Sequence, residues 1–133
     1  HPLAGRARVT LNDVLAYPVA CTPLSDEVIR LLVDQYGLRA HPSEMVRIEC
    51  DDVSSLLATV QASDAVFLGA HALARADIEA CRLVMLPMHP PVRAKARYAV
   101  VTLAGRTTAP AMASFRQILQ AHLSDAPATV TGA

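Results

Sequence analysis

Residues 17–37 read YPVACTPLSDEVIRLLVDQYG, and this stretch decides the fold. Tyr17–Cys21 predicts a strand, Thr22–Ser25 predicts a turn, and a helix is expected from near Asp26 to Gly37. Apolar side chains in the helical part recur at spacings of three and four residues, which is typical of a buried helical face: Val28, Leu31, Leu32 and Tyr36. Open α/β sheets bind ligands where the carboxyl end of a strand leads into a helix amino terminus. This turn is therefore the first candidate ligand site.

The length and composition predict one folded domain of ordinary size. The chain has 133 residues, of which 53% are hydrophobic and 18% are charged, and this balance is typical of a protein with a substantial core. Its 12 basic and 12 acidic residues give a formal net charge of zero. Because phosphate neutralisation needs a surplus of Lys and Arg, we do not expect this chain to hold nucleic acid by itself.

Neither a membrane span nor a secretory signal is expected. No apolar run approaches the ~20 residues of a transmembrane helix, and the start, HPLAGRARVTLND, contains no apolar core segment. Cys21, Cys50 and Cys81 are widely spaced and form no Cys-x-x-Cys pair, so neither a zinc site nor a disulfide framework is predicted. We therefore expect a reducing, cytoplasmic location. Since residue 1 is His, we also expect the chain to begin within a longer gene product.

The rest of the chain alternates between predicted strands and predicted helices. A short capped helical turn is expected within Val9–Leu15, with Thr10 or Asn12 as its cap, and a connector is expected at Arg39–Ser43. The later elements are a strand, a helix with an aspartate cap, a strand, an Ala-rich helix, two strands and a last helix: Met45–Cys50, 53–60, Ala65–Gly69, 70–80, Cys81–Leu86, Tyr98–Leu103 and Pro110–Leu123. This order predicts an α/β fold with a mostly parallel sheet flanked by helices.

Few side chains suggest catalysis or metal binding. An enzymatic interpretation would rest on Cys21, whose thiol pKa is expected to be lowered near a helix amino terminus, with His71 as a base. A small buried thiol is the favoured alternative. His71 and His89 have no second ligand at helical or hairpin spacing, so packing or surface roles are favoured over metal binding. No cofactor is expected, because the sequence contains no glycine-rich nucleotide motif.

Thr22 and Ser25 are the strongest binding candidates. Their hydroxyl groups lie at the predicted turn, where helical N–H groups are unpaired. Capping alone, and capping together with ligand contact, remain open interpretations. The alternating Arg93, Lys95 and Arg97 are interpreted as a solvated strand edge rather than as an anion-binding face.

Several segments, in order, resemble the effector-binding domain of LysR-type transcriptional regulators. HPLAGRARVTLNDVLAYPVA is similar to that family's His-Pro-Leu-Ala, Leu-x-Asp-Leu and Tyr-Pro strand. DDVSSLL at 51–57 stands where the family has its next helix, and DAVFLG at 64–69 stands where it has a Gly-Ile-Ala-Leu-Leu-Pro strand. YAVVT at 98–102 and Pro110–Leu123 resemble the family's returning strand and closing helix.

The resemblance implies a type-2 periplasmic-binding-protein-like fold. Residues 1–96 would form the second subdomain, 97–123 the returning strand and last helix of the first subdomain, and 124–133 a disordered tail. It also implies a small-molecule effector, contact with DNA through a domain outside this chain, and a homo-oligomeric intact protein in which helix 26–36 meets a partner. By position, the effector would contact residues from three strand ends: Cys21, Thr22, Pro23, Leu24, Ser25, Asp52, Val53, Gly69 and Ala70.

Two other functions remain open from the sequence. The same fold serves solute-binding transport proteins, although the spacing from His-Pro-Leu-Ala to Tyr-Pro favours the regulator. An enzyme that uses Cys21 is the third possibility. If the resemblance holds, the strand 97–103 and the helix 110–123 lack their usual partners within these residues and are expected to be misplaced, mobile or paired with another copy.

Overall fold

The computed structural model describes residues 1–95, 99–102, 105 and 110–123. The chain divides into two compact units, residues 1–96 and residues 97–133. Within the described residues, no helix is long and apolar enough to cross a membrane.

A small parallel sheet forms the centre of the first unit. Its strands are β1 (Val19–Cys21), β2 (Val46–Glu49) and β3 (Val66–Leu68), in the spatial order β2-β1-β3. Both pairings of β1 are parallel, and Cys21 lies opposite Glu49 on one side and Leu68 on the other. The predicted parallel sheet is confirmed. Because β1 is central, the turn that follows it lies between the turns that follow β2 and β3.

Helices connect and cover these strands. In chain order they are α1 (Leu11–Val14), α2 (Asp26–Tyr36), α3 (Pro42–Met45), α4 (Val53–Gln61) and α5 (His71–Glu79). A further helix, α6 (Pro110–Leu123), belongs to the second unit. Thr10 caps α1 in a reciprocal capping box with Asp13, which selects one of the two predicted caps. The predicted end of α2 is also confirmed, since Gly37 follows its last residue with a φ of 84°, a conformation that favours glycine.

The core lies between the sheet, α2 and the amino-terminal segment. Leu3, Val9, Val19 and Leu32 are at most 3% exposed. Val28 and Tyr36 pack against the same cluster as Leu32, as the helical spacing predicts. The segment HPLA is thus part of the folded core, to which it contributes Leu3.

The last turn of α2 holds the segment 90–93 through hydrogen bonds. The amide nitrogen of Gln35 donates to the Pro91 carbonyl at 2.6 Å, and the Arg93 N–H donates to the Gln35 amide oxygen at 3.0 Å. The Tyr36 hydroxyl donates to the Pro90 carbonyl. The side-chain amide of Gln35 therefore donates one hydrogen bond to the backbone of this segment and accepts one from it, as a residue of a neighbouring strand does.

Two sequence-based predictions for the first unit are wrong. The connector predicted at Arg39–Ser43 contains a 3-10 helix, Leu38–Ala40, and the start of α3. Pro42 occupies the first turn of α3, where a proline needs no N–H donor. Residues Cys81–Leu86, predicted as a strand, are irregular, and Val9 forms only an isolated bridge with Met88.

The end of α5 explains why no strand begins at Cys81. Cys81 has a φ of 57°, its N–H donates to the Ile78 carbonyl at 3.0 Å, and the Arg82 N–H donates to the Asp77 carbonyl at 2.8 Å. These are the bonds of a Schellman motif, which places its residue after the helix in the left-handed region. The guanidinium of Arg82 also pairs with the Asp77 carboxylate at 2.6 Å. The chain thus turns back on α5 instead of extending.

In the second unit, the described residues form one long helix and short irregular segments. The predicted helix Pro110–Leu123 is confirmed as α6. Residues 99–102 are described and irregular, so this part of the predicted strand Tyr98–Leu103 is wrong, while its two end residues lie outside the described residues. Phe115 and Ile118 of α6 are 49% and 56% exposed. Arg97 and the predicted tail, 124–133, also lie outside the described residues.

Candidate functional site at the carboxyl edge of the sheet

The carboxyl ends of β1, β2 and β3 bring the predicted binding segments to one edge of the first unit. The Cys50 N–H donates to the Cys21 carbonyl at 3.3 Å, so the β1 and β2 ends stay paired beyond the strands. Each strand leads into a helix: β1 into α2, β2 into α4 and β3 into α5. Three helix amino termini therefore follow adjacent strand ends, which is the usual ligand-binding arrangement of parallel sheets.

The turn after β1 divides into buried and accessible residues. Cys21 is fully buried, and the half-buried Leu24 packs against the core cluster. Thr22 is half-buried and Pro23 is exposed. Ser25 caps α2, accepting a hydrogen bond from the Val28 N–H at 3.4 Å. Of these five, Thr22 and Pro23 present side chains to solvent without a structural bond among the described residues.

The turn after β2 is organised by Asp52. Its carboxylate accepts hydrogen bonds from the Ser54 N–H at 3.2 Å and the Ser55 N–H at 3.1 Å, and also from the Ser55 hydroxyl. The Ser55 hydroxyl bond, followed by the two backbone bonds, lowers the pKa of Asp52 below its ordinary value. Val53 beside it is half-buried. Asp52 is thus the aspartate that caps α4, and its acceptor sites face its own helix.

The turn after β3 differs from the other two because no side chain caps the helix that follows it. Ala70 is the N-cap of α5 and makes no side-chain cap bond. The first-turn N–H groups of α5 are therefore not satisfied by a capping side chain, unlike those of α2 and α4. Gly69 is exposed, and a Cβ at this position would overlap the ring of Phe67.

Phe67 is a residue that the sequence-based prediction missed. Its ring folds over Gly69 at the end of β3, while its neighbours Val66 and Leu68 pack against the core cluster. The sequence contained the information needed to place Phe67. Alternation along a strand puts Phe67 on the opposite face from those two residues. An aromatic ring against a glycine backbone gives this edge an apolar surface.

Acidic side chains surround the same edge. Glu49, Asp51, Asp26 and Glu27 are exposed, and each follows or precedes one of the strand-to-helix turns. Their negative charge offsets the positive potential at the amino termini of α2 and α4. The arrangement is therefore suited to a ligand with hydrogen-bonding polar groups and an apolar part rather than to a polyanion.

Cys21 does not have the properties of a catalytic thiol. Burial, and secondly the charge of Glu49, raise the pKa of the Cys21 thiol, whereas the sequence predicted a lowered one. Desolvation of a thiolate in this buried strand outweighs the nearby helix dipole. The favoured alternative from the sequence, a small buried thiol, is confirmed. Among the described residues, no group of three or more His, Cys, Asp or Glu could hold a metal ion.

The comparison with known proteins identifies the family. The family model for the LysR substrate binding domain matches residues 1–124. The chain belongs to the LysR substrate-binding domain family. A relative of this LysR domain is the SDS degradation transcriptional activation protein of Pseudomonas sp. (strain ATCC 19151), which is 35% identical over 122 residues. The match covers 90% of this chain and 39% of the relative. No solved structure matches significantly.

The family match confirms the resemblance inferred from the sequence and supports a role in transcription regulation. LysR substrate-binding domains have a periplasmic-binding-protein-like α/β fold, and the parallel sheet of the first unit agrees with it. The chain spans about 39% of the length of the curated relative, so the activity of the whole protein is a matter for proposal.

Proposed function

We propose that this chain is the ligand-sensing part of a LysR-type regulator. A small-molecule effector contacts the carboxyl edge of the sheet, and the intact protein binds DNA through a domain outside this chain. The observation that carries the proposal is the convergence of three strand ends and three helix amino termini in a member of this family. The neutral net charge is compatible with DNA contact being made elsewhere.

The accessible groups of the edge define the proposed contacts. Thr22 and Pro23 from the first turn and Gly69 and Ala70 from the third turn present a hydroxyl and small apolar surfaces. Phe67 adds an aromatic face. The other five predicted residues shape the edge without offering free side-chain groups to the effector. Cys21 is buried, Leu24 packs on the core and Val53 is half-buried. Ser25 and Asp52 are engaged in helix caps.

The mechanism follows from linkage. An effector shifts a regulator only if it binds one arrangement of the protein more tightly than another. Contacts to the amino termini of α2 and α5 would favour one arrangement of the subdomains and of the paired subunits. In a dimeric regulator this would change how the DNA-binding domains sit on their half-sites. No catalytic step is involved in the proposal.

A second copy of the protein is the proposed partner of α2. Its inward face carries the buried Leu32, whereas Glu27, Arg30 and Asp34 are exposed on other faces. Mixed charges of this kind suit the polar rim of a subunit contact. Sedimentation of the intact gene product should show a dimer, weakened by Arg30→Glu; an unchanged dimer in that variant would remove α2 from the contact.

Binding measurements with the intact gene product test the effector site. The name of the relative concerns SDS degradation, so short alkyl sulfates below their micellar concentration, and the corresponding alcohols, are the first probes. Calorimetry should show saturable binding that Thr22→Val weakens by about tenfold, because a buried polar contact to the ligand loses its hydroxyl. Ser43→Ala, on α3, is the matched control and should bind as the wild type does. If Thr22→Val binds the probe as tightly as Ser43→Ala does, the proposed effector site is contradicted.

A further inference from the structure

A hollow of about 220 Å³ lies at the edge of the sheet opposite the proposed effector site. Its lining comes from the segments before β1, around the 3-10 helix and at the start of β2: Leu15, Tyr17, Arg39, Glu44, Met45 and Arg47. All of these residues belong to the first unit. We refer to this feature as the amino-edge hollow.

We propose that the amino-edge hollow binds a small organic monoanion, such as a compact carboxylate. The site is independent of the proposed effector site, because none of its residues lies at the carboxyl ends of the strands. The volume is below the ~300–1,000 Å³ typical of pockets for drug-sized ligands. It therefore limits the ligand to a compact molecule.

Two guanidinium groups supply the positive charge. Arg39 comes from the 3-10 helix and Arg47 from β2, so two elements place like charges on one small volume. Arg39 is held in place by the Asn12 side chain, whose oxygen accepts from its guanidinium at 2.7 Å. Arg47 forms no ion pair with a carboxylate among the described residues. Guanidinium groups bind carboxylates with paired hydrogen bonds, and a prepositioned one loses less entropy on binding.

The remaining lining residues determine which anion fits. Glu44 contributes one negative charge, so the lining carries a net charge of about one and favours a monoanion over a dianion. Met45 is 5% exposed, and Leu15 and Tyr17 are half-buried and pack against the core cluster. These three side chains are turned mostly into the core, so the surface of the hollow comes mainly from the exposed Arg39, Glu44 and Arg47. The carboxylate of a compact anion is therefore the group that the hollow recognises.

Nuclear magnetic resonance of the 133-residue chain tests the site with two probes. Sodium benzoate and sodium acetate are titrated at constant ionic strength, because exposed ion pairs are screened by salt. Benzoate and acetate should each cause saturable shifts at Tyr17 and at the Arg39 and Arg47 side chains, because both carry the carboxylate that guanidinium groups bind. Shifts that do not saturate with either probe, or shifts spread over all arginines, would overturn the proposal.

Charge variants separate this site from general electrostatic attraction. Arg47→Gln should weaken benzoate binding by about tenfold, and Glu44→Gln should strengthen it. Arg8→Gln removes the same charge from an exposed residue outside the lining and should leave the affinity unchanged. All three substituted residues are exposed, so we expect the fold to be retained in each variant. Unchanged resonances of the β1 residues are the check. Benzoate binding of equal strength in Arg47→Gln and Arg8→Gln would refute the site, as would shifts confined to Thr22, Asp52 and Gly69.

Discussion

At the scale of single residues, Asp52 links acid stability to the start of α4. Its three accepted hydrogen bonds lower its pKa in the folded chain, so the folded chain keeps the carboxylate ionised to a lower pH than the unfolded chain does. The stabilisation is fully present above the ordinary aspartate pKa of about 3.9 and is lost as the pH falls through the folded value.

We therefore expect Asp52→Asn to lower the free energy of unfolding at pH 7 and to have a smaller effect below about pH 3. Urea unfolding at both pH values provides the measurement. Asp51→Asn is the control, because Asp51 is exposed and is not the residue that caps α4. A difference between wild type and Asp52→Asn that stays constant with pH would show that the carboxylate is not the stabilising group.

Cys81 carries backbone strain at the end of α5. Its φ of 57° is in the left-handed region, which costs a residue with a side chain about 1 kcal/mol or more relative to glycine. Cys81→Gly should therefore raise the free energy of unfolding by about 1 kcal/mol, whereas Cys81→Ala should not. Thermal unfolding of the two variants is the comparison. A destabilising Cys81→Gly would mean that the thiol makes a contact that outweighs the strain.

The three cysteines should differ sharply in reactivity. Cys21 is buried, and burial raises its pKa, while Cys50 and Cys81 are exposed. Because the thiolate is the reacting form, iodoacetamide should modify Cys50 and Cys81 first and Cys21 only on the time scale of unfolding. Mass spectrometry of timed samples measures each site. Modification of Cys21 as fast as that of Cys50 would reopen the enzymatic interpretation.

At the scale of elements, α2 connects the proposed effector edge to the segment that leaves the first unit. Ser25 caps its amino terminus at the edge, and Gln35 in its last turn pairs with Pro91 and Arg93. The same helix therefore carries a cap at the edge and a backbone-binding amide in its last turn. This gives α2 two roles, one in shaping the site and one in holding the segment 90–93.

Gln35→Ala should release that segment without unfolding α2. Two net hydrogen bonds contribute about 1–2 kcal/mol, and alanine is a good helix former. We expect faster hydrogen exchange at the Arg93 amide and a loss of stability of about this size. Asp34→Ala, a change at the preceding exposed position, is the control and should leave the Arg93 amide unaffected. Unchanged exchange at Arg93 in Gln35→Ala would show that the amide pairing is not formed in solution.

Local chemistry explains which elements could be predicted. Ser25 and Gly37 bracket α2 with a hydroxyl cap and a glycine exit, and Asp52 caps α4; each signal acts within a few residues. Cys81–Leu86 was misread because its apolar residues resemble a strand. Its path is set by a Schellman motif at Cys81 and, beyond the segment, by the bridge between Met88 and Val9. A non-glycine residue at that motif gives no sequence signal.

The candidate site was predictable at the level of the strand ends but not of the side chains. The edge followed from alternating strands and helices, and the structure brings those ends together. Burial of Cys21 and packing of Leu24 depend on tertiary contacts that spacing does not encode. The ring of Phe67 over Gly69 and the amino-edge hollow depend on them as well.

At the scale of the whole molecule, the second unit carries apolar side chains that the first-unit core does not explain. Phe115 and Ile118 of α6 and Val101 are 49%, 56% and 90% exposed. Phe115 and Ile118 are three residues apart and therefore share a face of α6, and we propose that this apolar face is an interaction surface. The family match and the 39% coverage of the relative support the proposal that the rest of a two-subdomain regulator covers them.

We propose that the carboxyl edge of the sheet senses the effector of a LysR-type regulator. A promoter–reporter assay of the intact gene product, titrated with its inducing compound, tests it most directly. Thr22→Val should raise the half-maximal inducer concentration about tenfold, with uninduced expression unchanged, while Ser43→Ala matches the wild type. The same half-maximal concentration in wild type and Thr22→Val would contradict the account.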